Sequence, residues 1–116
     1  MGFQVISREL ERIIVLDAAG RLTLDAGTKL RDVVHVLASS GHKKFLLNLA
    51  NVDFIDSYGI GELARCHGIV RQAGGEMRLV HVTQKVHAVL QVTNLHKIFT
   101  IYSEERIAVQ EFLHLA

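Results

Sequence analysis

Phe45-Leu46-Leu47-Asn48-Leu49 is a nearly continuous apolar run of strand length, the pattern of a strand covered on both faces rather than one that alternates between core and water. Such a strand belongs in the middle of a sheet with helices packed on it, so the flanking sequence should switch between strand and helix periods. Downstream it does. A loop is expected over Ala50 to Asp56, after which Ile60, Leu63, Ala64 and Val70 fall at helical spacing until Gly74-Gly75 stops the helix. Met77-Arg78-Leu79-Val80-His81-Val82 reads as the next strand, reached by a right-handed crossover. Thr83 caps a short helix that turns Val86, Val89 and Leu90 inward and ends at Asn94; Phe99-Thr100-Ile101-Tyr102 reads as a last strand. Ser103 then caps a final helix with Ile107, Val109, Phe112 and Leu113 on its apolar side.

Upstream, Phe3 to Ser7 and Arg12 to Ala18 are short and rich in Ile and Val, and the charged Arg8-Glu9-Leu10-Glu11 between them suits an antiparallel hairpin whose second strand Gly20 breaks. From Asp25, a plausible N-cap, the apolar positions Ala26, Leu30, Val33, Val34 and Leu37 follow a helical period as far as Gly41, a plausible C-cap. The expected fold is α/β, a mixed central sheet of about five strands with about four helices.

The bulk numbers bound the function. A chain of 116 residues, 49% hydrophobic and 22% charged, has the balance of one compact domain, residues 1–116, with no room for a second. Thirteen basic against twelve acidic residues leave a formal charge of +1, which gives no electrostatic footprint for nucleic acid or an anionic membrane. Met1-Gly2-Phe3-Gln4-Val5 lacks a signal peptide's basic-then-apolar order, and no apolar run approaches bilayer length, so a cytoplasmic location without membrane insertion is expected. Cys66 is the lone cysteine, which forbids an internal disulfide and suits a reducing compartment.

One segment combines position with chemistry. Asn51-Val52-Asp53-Phe54-Ile55-Asp56-Ser57-Tyr58-Gly59-Ile60-Gly61 leaves the carboxyl end of the buried strand and enters a helix, where binding sites of such sheets tend to lie. Ser57 falls at or next to the N-cap, where an added phosphate would meet unpaired amides and the positive end of the helix. Gly59 and Gly61 remove bulk around the hydroxyl. Composition alone favours the plainer reading of a helix cap with a tight turn.

Phe54-Ile55-Asp56-Ser57-Tyr58-Gly59-Ile60-Gly61 resembles the Asp-Ser-x-Gly-Leu/Ile-Gly signature of STAS-domain anti-sigma factor antagonists. The likeness extends to Gly20-Arg21-Leu22, Leu47-Asn48-Leu49, Gly74-Gly75-Glu76-Met77 and Leu95-His96-Lys97-Ile98-Phe99, in the same order along the chain. The resemblance implies a STAS-like single domain and a partner switch. The unphosphorylated domain would bind an anti-sigma factor that is also a serine kinase, and so free a sigma factor; phosphorylation of the signature serine, here Ser57, would reverse this. ATP would be bound by the partner. Asp56 would present the serine, with Tyr58, Gly59 and Thr23 on the partner-binding surface. Tyr58 stands where many relatives carry Ser or Thr and is either a contact anchor or an obstruction to a kinase cleft. Thr23 stands where several carry Asp. The other reading of the same resemblance is a scaffold or accessory subunit of a stress-signalling assembly or membrane transporter, and the sequence leaves self-association open.

No cofactor, metal or catalytic residue is expected. His35, His42, His67, His81, His87, His96 and His114 form neither a His-Glu-x-x-His pattern nor a compact ligand cluster. His67, on the inward side of its helix, and His81, within a strand, read as packed residues. Cys66 reads as a buried, inert thiol. No Gly-Lys-Ser/Thr phosphate loop is present. A hydrolase using Ser57 with Asp56 would need a base within hydrogen-bond reach and an oxyanion pocket, and adjacent Asp and Ser supply neither.

Overall fold

In a computed structural model, which describes residues 2–114, the chain forms a five-stranded mixed sheet and four α-helices. Met1, Leu115 and Ala116, which the single-domain reading included, lie outside the described residues. The strands are β1 (Gln4–Leu10), β2 (Ile13–Leu22), β3 (Lys44–Ile55), β4 (Glu76–Val80) and β5 (Ile101–Tyr102); the helices are α1 (Leu24–Ser39), α2 (Ser57–Gln72), α3 (Gln84–Val92) and α4 (Glu105–Leu113). A 3-10 turn over Leu95–Lys97 was not foreseen. Spatial order equals chain order, with β1 antiparallel to β2 and the other pairs parallel, so β3 occupies the middle as its apolar run requires. Among the described residues no helix is long and apolar enough to cross a membrane.

Alternation along the strands divides the core into two layers. Ile14, Leu16, Phe45, Leu47 and Leu79 face α1, α2 and α3, which contribute Leu30, Val34, Leu63, Val70, Val86 and Leu90. Ile13, Val15, Leu46, Val80 and Tyr102 face the other way, onto Ala108 and Phe112 of α4. One short helix covers only part of this second face.

Several expectations require correction. The hairpin closes at Leu10↔Ile13 with a two-residue turn at Glu11 and Arg12, both at positive φ (49° and 74°), so Arg8 to Leu10 are strand and not linker. A two-residue hairpin turn needs this backbone sense, which Asn-Gly normally advertises and Glu-Arg does not. Gly20, at φ 117°, does not end β2, because the pairing to β3 runs on through Gly20↔Val52 to Leu22↔Ile55. The largest difference is at Ala50 to Ile55, expected as loop and found as strand. Between the pairs Asp17↔Asn48 and Ala19↔Asn51, and again between Gly20↔Val52 and Arg21↔Phe54, β3 spends one residue more than β2. Two bulges therefore break the period of two just where the sequence stops reading as strand.

Asp25 is not the N-cap of α1; Thr23 is, with Asp25 in the first turn, while Ser40 closes the helix and Gly41 follows at φ 101°. On α2, Ala64 is half-buried, whereas Glu62 and Cys66 are buried. β4 stops at Val80, leaving His81 beyond the strand at φ 57°. β5 keeps only Ile101 and Tyr102; Phe99 packs in the preceding loop with its ring edge-on to His67, centroids 5.1 Å apart. Glu104, not Ser103, is the N-cap of α4, and Leu113 is exposed while Ala108 takes the inward place. The cap at Thr83, whose hydroxyl accepts the Val86 N–H at 3.3 Å, stands where the sequence puts it, whereas Thr93 closes α3 and Asn94 follows at φ 62°.

Candidate functional site

β2 and β3 are parallel neighbours whose last pair is Leu22↔Ile55, and each runs at once into a helix. The amino ends of α1 and α2 therefore leave the same sheet edge side by side. The Asp56 N–H donates to the Leu22 carbonyl at 3.4 Å, tying one strand-to-helix turn to the other. Gly59 is what permits this closeness: a Cβ there would run into the Leu22 carbonyl oxygen. One turn on, the two helices still touch, with Gly27 of α1 against the Cβ and Cγ of Glu62.

Asp56, in extended backbone at φ −109°, is the N-cap of α2, and its Oδ1 accepts the Gly59 N–H at 2.8 Å. Ser57 is the first helical residue. Because the carboxylate takes the capping bond, the Ser57 hydroxyl is left out of the cap, and the residue is exposed. Thr23 is half-buried at the N-cap of α1, with no side-chain capping bond. The structure thus brings Thr23, Asp56, Ser57, Tyr58 and Gly59 to one edge, with Gly59 buried as the wedge between the two turns.

Around Tyr58, which the sequence placed on this surface, the structure adds Leu24, Phe54 and Arg21. Tyr58 is 63% exposed, and Leu24 at 49% and Phe54 at 37% join it as large apolar side chains facing water. Arg21, the β2 partner of Phe54, lays its guanidinium 4.0 Å over that ring. By alternation from the inward Leu22 and Ile55, both point to the face that α4 leaves open. Alternation was the available signal for Phe54, but the second bulge hid it.

Behind the edge, the buried Glu62 carboxylate is held by Arg65 Nη1 at 2.6 Å and by Arg31 Nη1 from α1, 3.3 Å from Oε1 and 3.0 Å from Oε2, though Oε2 receives no well-aligned hydrogen bond. Burial, reinforced by the Glu62 charge, pushes the Cys66 thiol up to about 12, so it stays protonated and unreactive at neutral pH. Burial also lowers the His67 imidazole, with Arg71 adding to the effect. Among the described residues no three His, Cys, Asp or Glu side chains converge to hold a metal.

Comparison with known proteins sets this edge in context. The family model of the STAS domain matches residues 4–108. An anti-sigma F factor antagonist of Paenibacillus polymyxa is 32% identical over 91 residues, 78% of this chain and 70% of the relative. A Thermotoga maritima protein of known crystal structure superposes with a TM-score of 0.85 at 26% identity over 92% of each chain. The anti-sigma factor antagonist SpoIIAA shares the fold in its unphosphorylated form, with a TM-score of 0.82 at 20% identity over 99% of each chain. Its phosphorylated form has also been solved, with a TM-score of 0.74 at 19% identity over 96% of this chain and 99% of that one.

Proposed function

This chain belongs to the STAS-domain family, and from that premise we propose that it is an anti-sigma factor antagonist of the cytoplasm whose docking edge is switched by phosphorylation of Ser57. It binds, unmodified, an anti-sigma factor that is also a serine kinase, and so frees a sigma factor. The observation that carries the reading is the exposed Ser57 on the first turn of α2, spared from capping by Asp56 and flanked by exposed Leu24, Phe54 and Tyr58. An apolar edge of this kind fits a protein partner better than a small ligand.

The chemistry belongs to the partner. Ser57 Oγ attacks the γ-phosphorus of partner-bound ATP, the bond to ADP breaks, and the hydroxyl proton leaves to a base on the kinase. The product carries about −1.5 to −2 charges at neutral pH beside Asp56. Amides and dipole at the start of α2 stabilise that phosphate on the free protein by roughly 0.3–1 kcal/mol, so no refolding is required. Inside a fitted contact the same charge meets repulsion and loses its water, and a loss of about 1–3 kcal/mol lowers affinity on the order of tenfold to a hundredfold. Tyr58 is the contact anchor of this surface.

Titration of the cognate anti-sigma factor tests the reading. Ser57→Ala should bind like the unmodified chain and Ser57→Asp about tenfold more weakly. Equal affinities for the two variants would overturn it.

A further inference from the structure

The carboxyl edge holds a guanidinium that the switch as described leaves idle. Among the described residues Arg8, Arg31, Arg65 and Arg78 each pair with a carboxylate, whereas Arg21, like Arg12, Arg71 and Arg106, has no such partner, and of these four it is the one whose strand ends beside the start of α2. Three acidic residues belong to the segments that meet here, namely Asp25 in the first turn of α1, Asp53 in the bulged end of β3 and Asp56 at the N-cap of α2. Asp56 is engaged by the Gly59 amide, and none of the three pairs with the guanidinium, which rests on the Phe54 ring at 4.0 Å. A cation over an exposed ring is held by only about 0.5–1 kcal/mol. It is easily recruited elsewhere.

Backbone geometry puts Ser57 within its range. Arg21 immediately precedes Leu22, Ser57 immediately follows Asp56, and the Leu22 carbonyl and Asp56 amide are 3.4 Å apart. Standard backbone dimensions through that contact place the two Cα atoms at most about 15 Å from each other. An extended arginine, a phosphoserine side chain and one hydrogen bond between them span about the same distance. Arginine also presents the planar fork that matches phosphate oxygens two at a time.

We propose that Arg21 is the intramolecular receiver of the Ser57 phosphate: modification draws the guanidinium off the Phe54 ring and into an ion pair with the phosphoserine. This rests on Ser57 being the phosphorylated residue and adds the regulation of the same surface. The edge then changes in two places at once. A dianion appears at the start of α2, and the Phe54 ring loses the cation that covered it, so a partner fitted to the stacked pair meets a different surface. Arg21 is accordingly a positioning residue for the switched state and not a contributor to the phosphoryl transfer.

The test needs no partner. Phosphoserine is incorporated at position 57 during synthesis of the full chain, and the phosphorus resonance is titrated by NMR in the parent chain, in Arg21→Gln and in Arg21→Lys. The ion pair should hold the second phosphate pKa roughly 0.3–1 unit lower in the parent than in Arg21→Gln, with Arg21→Lys between them. Superimposable titration curves for the parent and Arg21→Gln would overturn the proposal. Such a result would leave the partner switch standing, whereas failure of the switch would show as equal affinities of Ser57→Ala and Ser57→Asp.

Discussion

The two ends of the second sheet face are built on opposite terms. Under α4 the polar groups are bound to one another. Arg8 bridges Asp17 at 2.6 Å and Glu105 at 2.5 Å, Asn48 donates to Asp17 at 2.9 Å, Lys44 donates to the Phe112 carbonyl at 2.9 Å, and Tyr102 joins Arg78 to Glu111. At the carboxyl edge of β2 and β3, Arg21 has only an aromatic face, Ser57 stands outside its cap, and Leu24, Phe54 and Tyr58 face water. The lesson is one of division. Satisfied charges and a buried ring hold α4 down, while the unpaired groups and exposed rings of the edge suit the docking role proposed for it.

The sharpest way to break this contrast uses its two phenylalanines. Phe112, fully buried beneath the sheet, should cost about 3–5 kcal/mol when replaced by Ala, and Phe54→Ala should cost less than about 1 kcal/mol, both read by urea unfolding. Comparable losses would mean that the edge is core. Next in size is Gly59→Ala. Its new Cβ meets the Leu22 backbone, which cannot retreat as a flexible side chain would, and a loss of roughly 2–3 kcal/mol is expected. A neutral result would show that the two helix starts are not locked together.

The smallest effect depends on pH. The Arg8 hydrogen bond, assisted by Asn48 and opposed by burial, holds the Asp17 carboxyl below its ordinary value of 3.8. A depressed carboxyl contributes stability that is present above its unfolded pKa and lost as pH falls through the folded one. The pair is partly exposed, so Asp17→Asn should cost only about 0.5–1 kcal/mol at pH 7, narrowing as pH drops below about 4. A deficit that stays constant between pH 7 and pH 3 would contradict this origin.

Local patterns made the middle of the fold legible. Phe45 to Leu49 announced a central strand, the spacing of Ile60, Leu63 and Val70 announced α2, and Thr83 announced the start of α3. The misses share a cause: the decisive partner is distant in sequence or the local signal is inverted. Ala50 to Ile55 stay extended only because β2 pairs with them through two bulges, and Glu11-Arg12 turns with residues that disfavour positive φ. The site divides in the same way. Asp56 and Ser57 could be placed from a strand followed by a helix, but Arg21 and Leu24 reach them only through the parallel register Leu22↔Ile55, which no local pattern encodes. Glu62 was missed because a charged residue on an inward helical position contradicts the apolar stripe that locates helices; it is tolerated by Arg31 and Arg65.

The central claim is that one hydroxyl at the mouth of α2 decides what docks on this edge. Mass spectrometry of the protein isolated from its own cells, with each phosphate mapped to a residue, tests it most directly. Phosphate is expected on Ser57 in the population that has released the anti-sigma factor and an unmodified Ser57 in the bound one. Phosphate confined to another residue, or present on Ser57 equally in both populations, would contradict it.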